Sequence, residues 1–381
     1  MTKRYDNDYM DRIDERVYQE GMAAKAAGRK VVGIYCAFTP HEIIAAAGGI
    51  PVSLCAGSEK PISKAEEHLP RNLCPLIKAS YGFGLSSECP YFNATDFLVA
   101  DATCDGKKKM FELMGRIRPL HLLQLPQTYE TEASLAYWID ELYRIRDYVE
   151  AHLGVKITEE ALWQQIDLYN RHRAATLAVF ELNRGERPQA TGREIIAITG
   201  GGGFEVNLEA RIAEMEAARS ALLERGQSPS WQASVARKPR VLLTGCPQTN
   251  KKLLNTLEDA GAMVVAMENC GGLKTVGDRV MPGDNPWEAL GRYYLKTACP
   301  CMTPNPRRLE ILSDLIGGYR IDGVVELVWQ GCHTYNIEAY QIKEHVQRNH
   351  GKPYLQIETD YSESDIGQIR LRVEAFLELI K

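Results

Sequence analysis

Short apolar runs that lead into cysteines recur through both halves of this chain, and no other feature constrains the fold as strongly. Val31-Val-Gly-Ile-Tyr35 leads into Cys36, Ile50-Pro-Val-Ser-Leu54 into Cys55, and Asp96-Phe-Leu-Val-Ala100 into the loop of Cys104. Further on, Val241-Leu-Leu-Thr-Gly245 leads into Cys246, Ala262–Met267 towards Cys270, and Gly323–Val328 towards Cys332. Runs of this kind, separated by helical stretches, predict strands of parallel βαβ units. Ligands of an open parallel sheet gather beyond the carboxyl ends of its strands, and these thiols fall there.

The halves can be laid on each other. Cys36 aligns with Cys246, Cys55 with Cys270, Cys74 with Cys301 and Cys104 with Cys332, at offsets that drift slowly. That drift predicts an internal structural repeat, with Cys89 and Cys299 outside it. Leu120–Leu125 and Pro353–Ile357 supply a fourth strand to each half. Residues 128–236 change character: Leu135, Trp138, Ile139, Leu142, Ile145 and Val149 follow a helical period. The expected architecture is α/β, with two doubly wound parallel-sheet domains. An N-terminal helix spans 1–30, the first domain 31–127, a helical insert 128–237 and the second domain 238–381. Thr39-Pro40-His41-Glu42 reads as a capping box that opens a helix.

A formal charge of -5 argues against nucleic acid as a partner. No apolar run approaches a membrane span, and the polar N-terminal residues do not form a signal peptide, so a cytoplasmic protein is expected. Ten cysteines are too few for a disulfide scaffold and would stay reduced in that compartment. Zinc sites usually contain a close Cys-x-x-Cys pair, whereas the closest pair here is Cys299-Pro-Cys301. Iron–sulfur centres take thiolates from scattered loops. The contexts Leu-Cys74-Pro, Cys104-Asp-Gly, Asn-Cys270-Gly-Gly and Gly-Cys332-His suit that chemistry.

The runs Tyr35-Cys-Ala-Phe-Thr-Pro-His-Glu42, Leu69-Pro-Arg-Asn-Leu-Cys-Pro-Leu-Ile-Lys78, Thr103-Cys-Asp-Gly-Lys-Lys-Lys109, Cys299-Pro-Cys-Met-Thr-Pro-Asn305 and Gly331-Cys-His-Thr-Tyr335 resemble the 2-hydroxyacyl-CoA dehydratase subunit family. The likeness is greatest to its double-cubane iron–sulfur branch. The resemblance implies two Rossmann-like domains with the cluster between them. By the family pattern, Cys74, Cys104 and Cys332 hold a [4Fe-4S] cubane. A second trio, Cys36, Cys270 and Cys301, would complete an [8Fe-9S] double cubane. Cys246 and Cys299 rival members of that trio, and Cys55 and Cys89 are read as structural. The resemblance further implies a homodimer, a small-molecule substrate and a separate ATP-hydrolysing iron–sulfur activator that supplies low-potential electrons. Two other readings stay open: a subunit of a 2-hydroxyacyl-CoA dehydratase with one [4Fe-4S] cluster, and a non-catalytic electron carrier.

His333, Glu326 and Glu358 are weighed as proton donors against a merely polar role, and His41 against a place in the helix start. Gly200–Gly203 reads as a helix–helix turn rather than a phosphate loop, since no strand precedes it. Lys107-Lys108-Lys109 reads as a solvated helix face, with docking of the activator as the alternative.

Overall fold

The computed structural model describes residues 5–200 and 203–380. The start of the polar N-terminal segment and the middle of the Gly200–Gly203 turn lie outside the described residues. Two four-stranded sheets, all parallel, share one strand order. The first runs β2-β1-β3-β4, built from β1 (Val31–Tyr35), β2 (Ile50–Ser53), β3 (Phe97–Asp101) and β4 (Leu120–Leu123). The second runs β6-β5-β7-β8, built from β5 (Arg240–Gly245), β6 (Met263–Glu268), β7 (Gly323–Trp329) and β8 (Tyr354–Thr359). The identical order matches the repeat expected from the cysteines. Strands β1, β3 and β7 are buried along their whole length. Helices cover both faces of such strands, so their apolar runs do not alternate.

Between the sheets in sequence lie the helices Glu132–Leu153, Glu159–Phe180, Gly192–Thr199, Leu208–Gly226 and Pro229–Val235. Thr131 caps the first by accepting from the Ser134 amide. Its stripe Trp138, Leu142, Ile145 and Val149 is fully buried and shares a core with Ile34, Phe97 and Val99 of the first sheet. The helix Glu159–Phe180 ties the chain together through Arg173. Its guanidinium pairs with Glu42 and donates to the Tyr294 hydroxyl at 3.0 Å, and that hydroxyl donates to Glu42 at 2.7 Å. Among the described residues no helix is long and apolar enough to cross a membrane.

The helix start expected at Thr39–Glu42 is corrected. The helix His41–Ala46 has no side-chain cap. Thr39 instead donates to the buried Asp101 carboxylate at 2.6 Å, and Glu42 is committed to Arg173. Residues around Cys74 are not all loop: Cys74 occupies the N-cap position of the helix Pro75–Leu85, with proline in its first turn.

Candidate functional site

In each sheet the winding reverses beside the first strand, since β1 lies between β2 and β3, and β5 between β6 and β7. Loops that leave the two strands at such a switch point diverge and open a crevice. Cys36 follows β1 and Cys104 follows β3, while Cys246 follows β5 and Cys332 follows β7. Close loop contact brings the two crevices together. A Cβ at Gly331, where φ is +73°, would stand 2.7 Å from the Asn72 carbonyl oxygen and 3.2 Å from the Cys74 amide nitrogen. Only glycine lets the second unit's loop lie this close to the first.

The thiols form two sets. In the first, Cys332 faces both Cys246 and Cys74, and hydrogen bonds from these two hold its pKa far below the usual thiol range. The partners move the other way, Cys74 through its bond to Cys332 and burial, Cys246 through burial and the same kind of bond. The Trp329 amide also donates to Cys246 Sγ at 3.4 Å. In the second set Cys299 is lowered to about 7, first by its hydrogen bond with Cys301. Cys36 and Cys270 are raised by burial and sense Cys299 as a neighbour. Cys104 lies within electrostatic reach of both Cys332 and Cys299, and its Sγ accepts from the Lys107 amide at 3.5 Å.

Cys74 is thus hydrogen-bonded to Cys332, and Cys36 lies within electrostatic reach of both Cys270 and Cys301. Cys246 stands beside Cys74 and Cys332 rather than with the second set, and Cys299 is a full neighbour within that set. Cys55 is exposed on the cavity wall, and Cys89 caps the helix Pro90–Ala94 by accepting from the Phe92 amide. Glu326 is fully buried and bonded to Arg308 at 2.9 Å and to the Tyr354 hydroxyl. His333 and Glu358 are exposed. None of these three lines the cavity.

Sequence reasoning missed two features of the second set. Cys36 sits in the left-handed region, at φ +83°, which a non-glycine residue adopts at a cost. Lys107 is not on a solvated face: its ammonium donates to Cys36 Sγ at 3.2 Å, while Lys108 and Lys109 pair with Asp105 and Glu112. The buried Lys274, paired with Glu268 at 3.1 Å, brings a second cation close to Cys270. Nothing in the spacing of three consecutive lysines marks the first as different.

Cys36, Cys55 and Cys270 line one cavity of about 570 Å³, with walls from the first sheet, from the loops that follow β5 and β6 and from the helix Glu159–Phe180. His41, Tyr169, His172 and Glu205 line the same cavity. Burial depresses His172 to about 4, with Arg211, Arg173 and His41 adding to the effect and Glu205 opposing it. The native state thus binds fewer protons at His172 than the unfolded chain does between about 4 and the ordinary 6.5. Stability then rises with pH across that window and is lost on acidification. Wild-type protein should lose about 2 kcal/mol more than His172→Gln between pH 7 and pH 5, read from urea midpoints. Equal losses would reject the assignment.

Among the described residues no three His, Cys, Asp or Glu side chains meet closely enough to hold one metal ion. A single ion draws thiolates to about 2.3 Å. In a cubane each thiolate takes a different iron, so the donors must surround a volume rather than meet at a point. The donor chemistry here fits that case. Thiols from both units face a shared crevice, with backbone and ammonium N–H groups directed at their sulfurs.

A family model described as 2-hydroxyglutaryl-CoA dehydratase, D-component, matches residues 36–380. YjiM of Escherichia coli (strain K12), provisionally named a dehydratase subunit, is 42% identical over 363 residues, 94% of each chain. The (R)-phenyllactyl-CoA dehydratase beta subunit of Clostridium sporogenes is 22% identical over 387 residues, 100% of this chain and 99% of its own. A benzoyl-CoA reductase subunit of Thauera aromatica is 21% identical over 363 residues, 93% of this chain and 91% of its own. These relatives are named as subunits of dehydratases and of a reductase.

Proposed function

The chain belongs to the 2-hydroxyglutaryl-CoA dehydratase D-component family, and on that premise we propose that it is an iron–sulfur reductase of the double-cubane [8Fe-9S] type. It reduces a small molecule at low potential, as a cytoplasmic homodimer, with electrons from a separate ATP-hydrolysing activator. Cys74, Cys104 and Cys332 would hold one cubane, and Cys36, Cys270 and Cys301 the other, with Cys246 and Cys299 in reserve beside them. The observation that carries the reading is the presence of two neighbouring thiol sets, since one [4Fe-4S] centre takes at most four cysteines. The centre, when bound, supplies electrons one at a time.

The chain's own residues set the conditions for that chemistry. The Lys107 ammonium and the Trp329 and Lys107 amides donate to sulfur and stabilise negative charge there. Lys274 adds a buried positive charge next to Cys270. The cavity offers room for a small substrate, which an electron carrier would not need. Anaerobic purification followed by iron and sulfide analysis tests the reading. About eight iron atoms per chain are expected, and none would overturn it. About four would favour the second reading, a dehydratase subunit with one [4Fe-4S] cluster, which the names of the relatives support.

A further inference from the structure

We propose that His41, held by Glu205 and Tyr169, is the proton donor of the cleft, passing the proton on Nε2 to a small substrate as that substrate gains an electron. The inference rests on the reductive reading above. Three distant segments converge to build the group. His41 opens the helix that follows β1, Tyr169 lies on the helix Glu159–Phe180, and Glu205 follows Phe204, which bridges to Val52 of β2. His41 Nδ1 lies 2.9 and 3.0 Å from the two carboxylate oxygens of Glu205. The Tyr169 hydroxyl donates to the same carboxylate at 2.5 Å.

That bonding fixes which nitrogen does what. A carboxylate that accepts from Nδ1–H leaves Nε2 as the outward atom. Nε2 has no protein partner among the described residues, and the imidazole, 21% exposed, lines the same cavity as Cys36 and Cys270. A pair that merely fastened the Glu205 segment would be sealed on both sides. This one stands at the wall of the space where a substrate fits, with Nδ1 taken by Glu205.

The surrounding charges keep the donor loaded. Burial alone would discharge His41, but the Glu205 carboxylate outweighs it, with Glu42 helping and Arg173 opposing, so its pKa lies above the ordinary value. Asp101 also senses His41 from the sheet side. His172, one turn along the same helix from Tyr169, is neutral near pH 7 and does not compete as a cation. The centre, when bound, would supply the electron for the transfer. The Nε2–H bond breaks as a new bond to hydrogen forms on the substrate, and neutral His41 regains a proton from water in the cavity.

The test uses anaerobically purified full-length protein as wild type, His41→Gln, Glu205→Gln and Tyr169→Phe. Ring-labelled histidine followed by NMR should give His41 a midpoint above 6.5 in the wild type, and a lower one in Glu205→Gln. With acetylene as probe and a chemical reductant as electron source, the wild-type rate should fall as pH rises through that midpoint. His41→Gln should lose about a hundredfold in rate and lose the pH limb, with its iron content unchanged. Glu205→Gln should move the limb to lower pH by the same interval as the NMR midpoint. A midpoint at or below 6.5, or an iron-loaded His41→Gln that keeps the wild-type rate and limb, overturns the proposal. So does iron-loaded wild type that does not reduce acetylene. Protein without iron would instead defeat the reductive reading, while the His41 midpoint would remain measurable.

Discussion

Replacing Arg308 with alanine is expected to cost about 3–5 kcal/mol of stability, the scale for a buried charge left without its partner. Arg308 is fully buried, and its guanidinium pairs with Glu268 at 3.3 Å, with Glu326 at 2.9 Å and with Glu338. It also donates to Thr244 at 3.0 Å and lies over the Tyr335 ring. These carboxylates come from β6, β7 and the helix His333–Glu344, so one side chain fastens three elements. Without it, Lys274 is the one cation still paired with this set among the described residues. Glu326 would then be left with uncompensated charge and would take up a proton, while Glu338 would keep only the Asn305 amide. Burial already raises Glu326, while Arg308 opposes the rise. In Arg308→Ala that opposition is gone, so the loss should be largest at neutral pH and shrink on acidification. Urea unfolding at pH 7 and pH 5 reads both effects. A loss below about 1 kcal/mol at pH 7, the value of an ordinary surface pair, would mean that the network is not what holds β6 and β7 in place.

The strands were legible because burial on both faces leaves a mark on consecutive residues. Val31–Tyr35 is read and found with the same limits. The strand read from Asp96 begins one residue later, because Asp96 turns its carboxylate to the Val31 amide and to Lys25. The repeat was legible through the cysteines, since Cys36, Cys55 and Cys104 follow strands of the first unit and Cys246, Cys270 and Cys332 follow the matching strands of the second. Partners far apart in sequence were not legible. Thr39-Pro40-His41-Glu42 has the composition of a helix cap, yet Thr39 bonds to Asp101, His41 to Glu205 and Glu42 to Arg173. A local motif carries no information about such partners. The helix Pro75–Leu85 escaped because it is buried over most of its surface and lacks a polar face to set a period. The place of Cys246 beside Cys74 and Cys332 depends on how the two units dock, which spacing along one chain does not encode. Glu326 looked available on a strand near the thiols, and its commitment to Arg308 is again a matter of tertiary packing.

Gly331→Ala should separate what holds the thiols together from what holds the fold. Its φ of +73° alone costs an alanine about 1–2 kcal/mol. The new methyl would also stand 2.7 Å from the Asn72 carbonyl oxygen, a backbone atom that cannot swing aside. Either the Gly331 loop or the Asn72–Cys74 loop must retreat, and Cys332 and Cys74 would part with them. Gly351 provides the control, since its φ is +61° and a Cβ there meets nothing within 4 Å. Gly351→Ala pays the dihedral cost alone. The expected result is a loss of about 1 kcal/mol for Gly351→Ala, with iron content as in the wild type. For Gly331→Ala a loss of about 3 kcal/mol is expected, with at least half of the iron gone. Chemical denaturation and iron analysis of the two variants side by side provide the measurement. If both lose the same stability and neither loses iron, the close approach at Gly331 contributes nothing beyond its backbone angle, and another contact must bring Cys74 and Cys332 together.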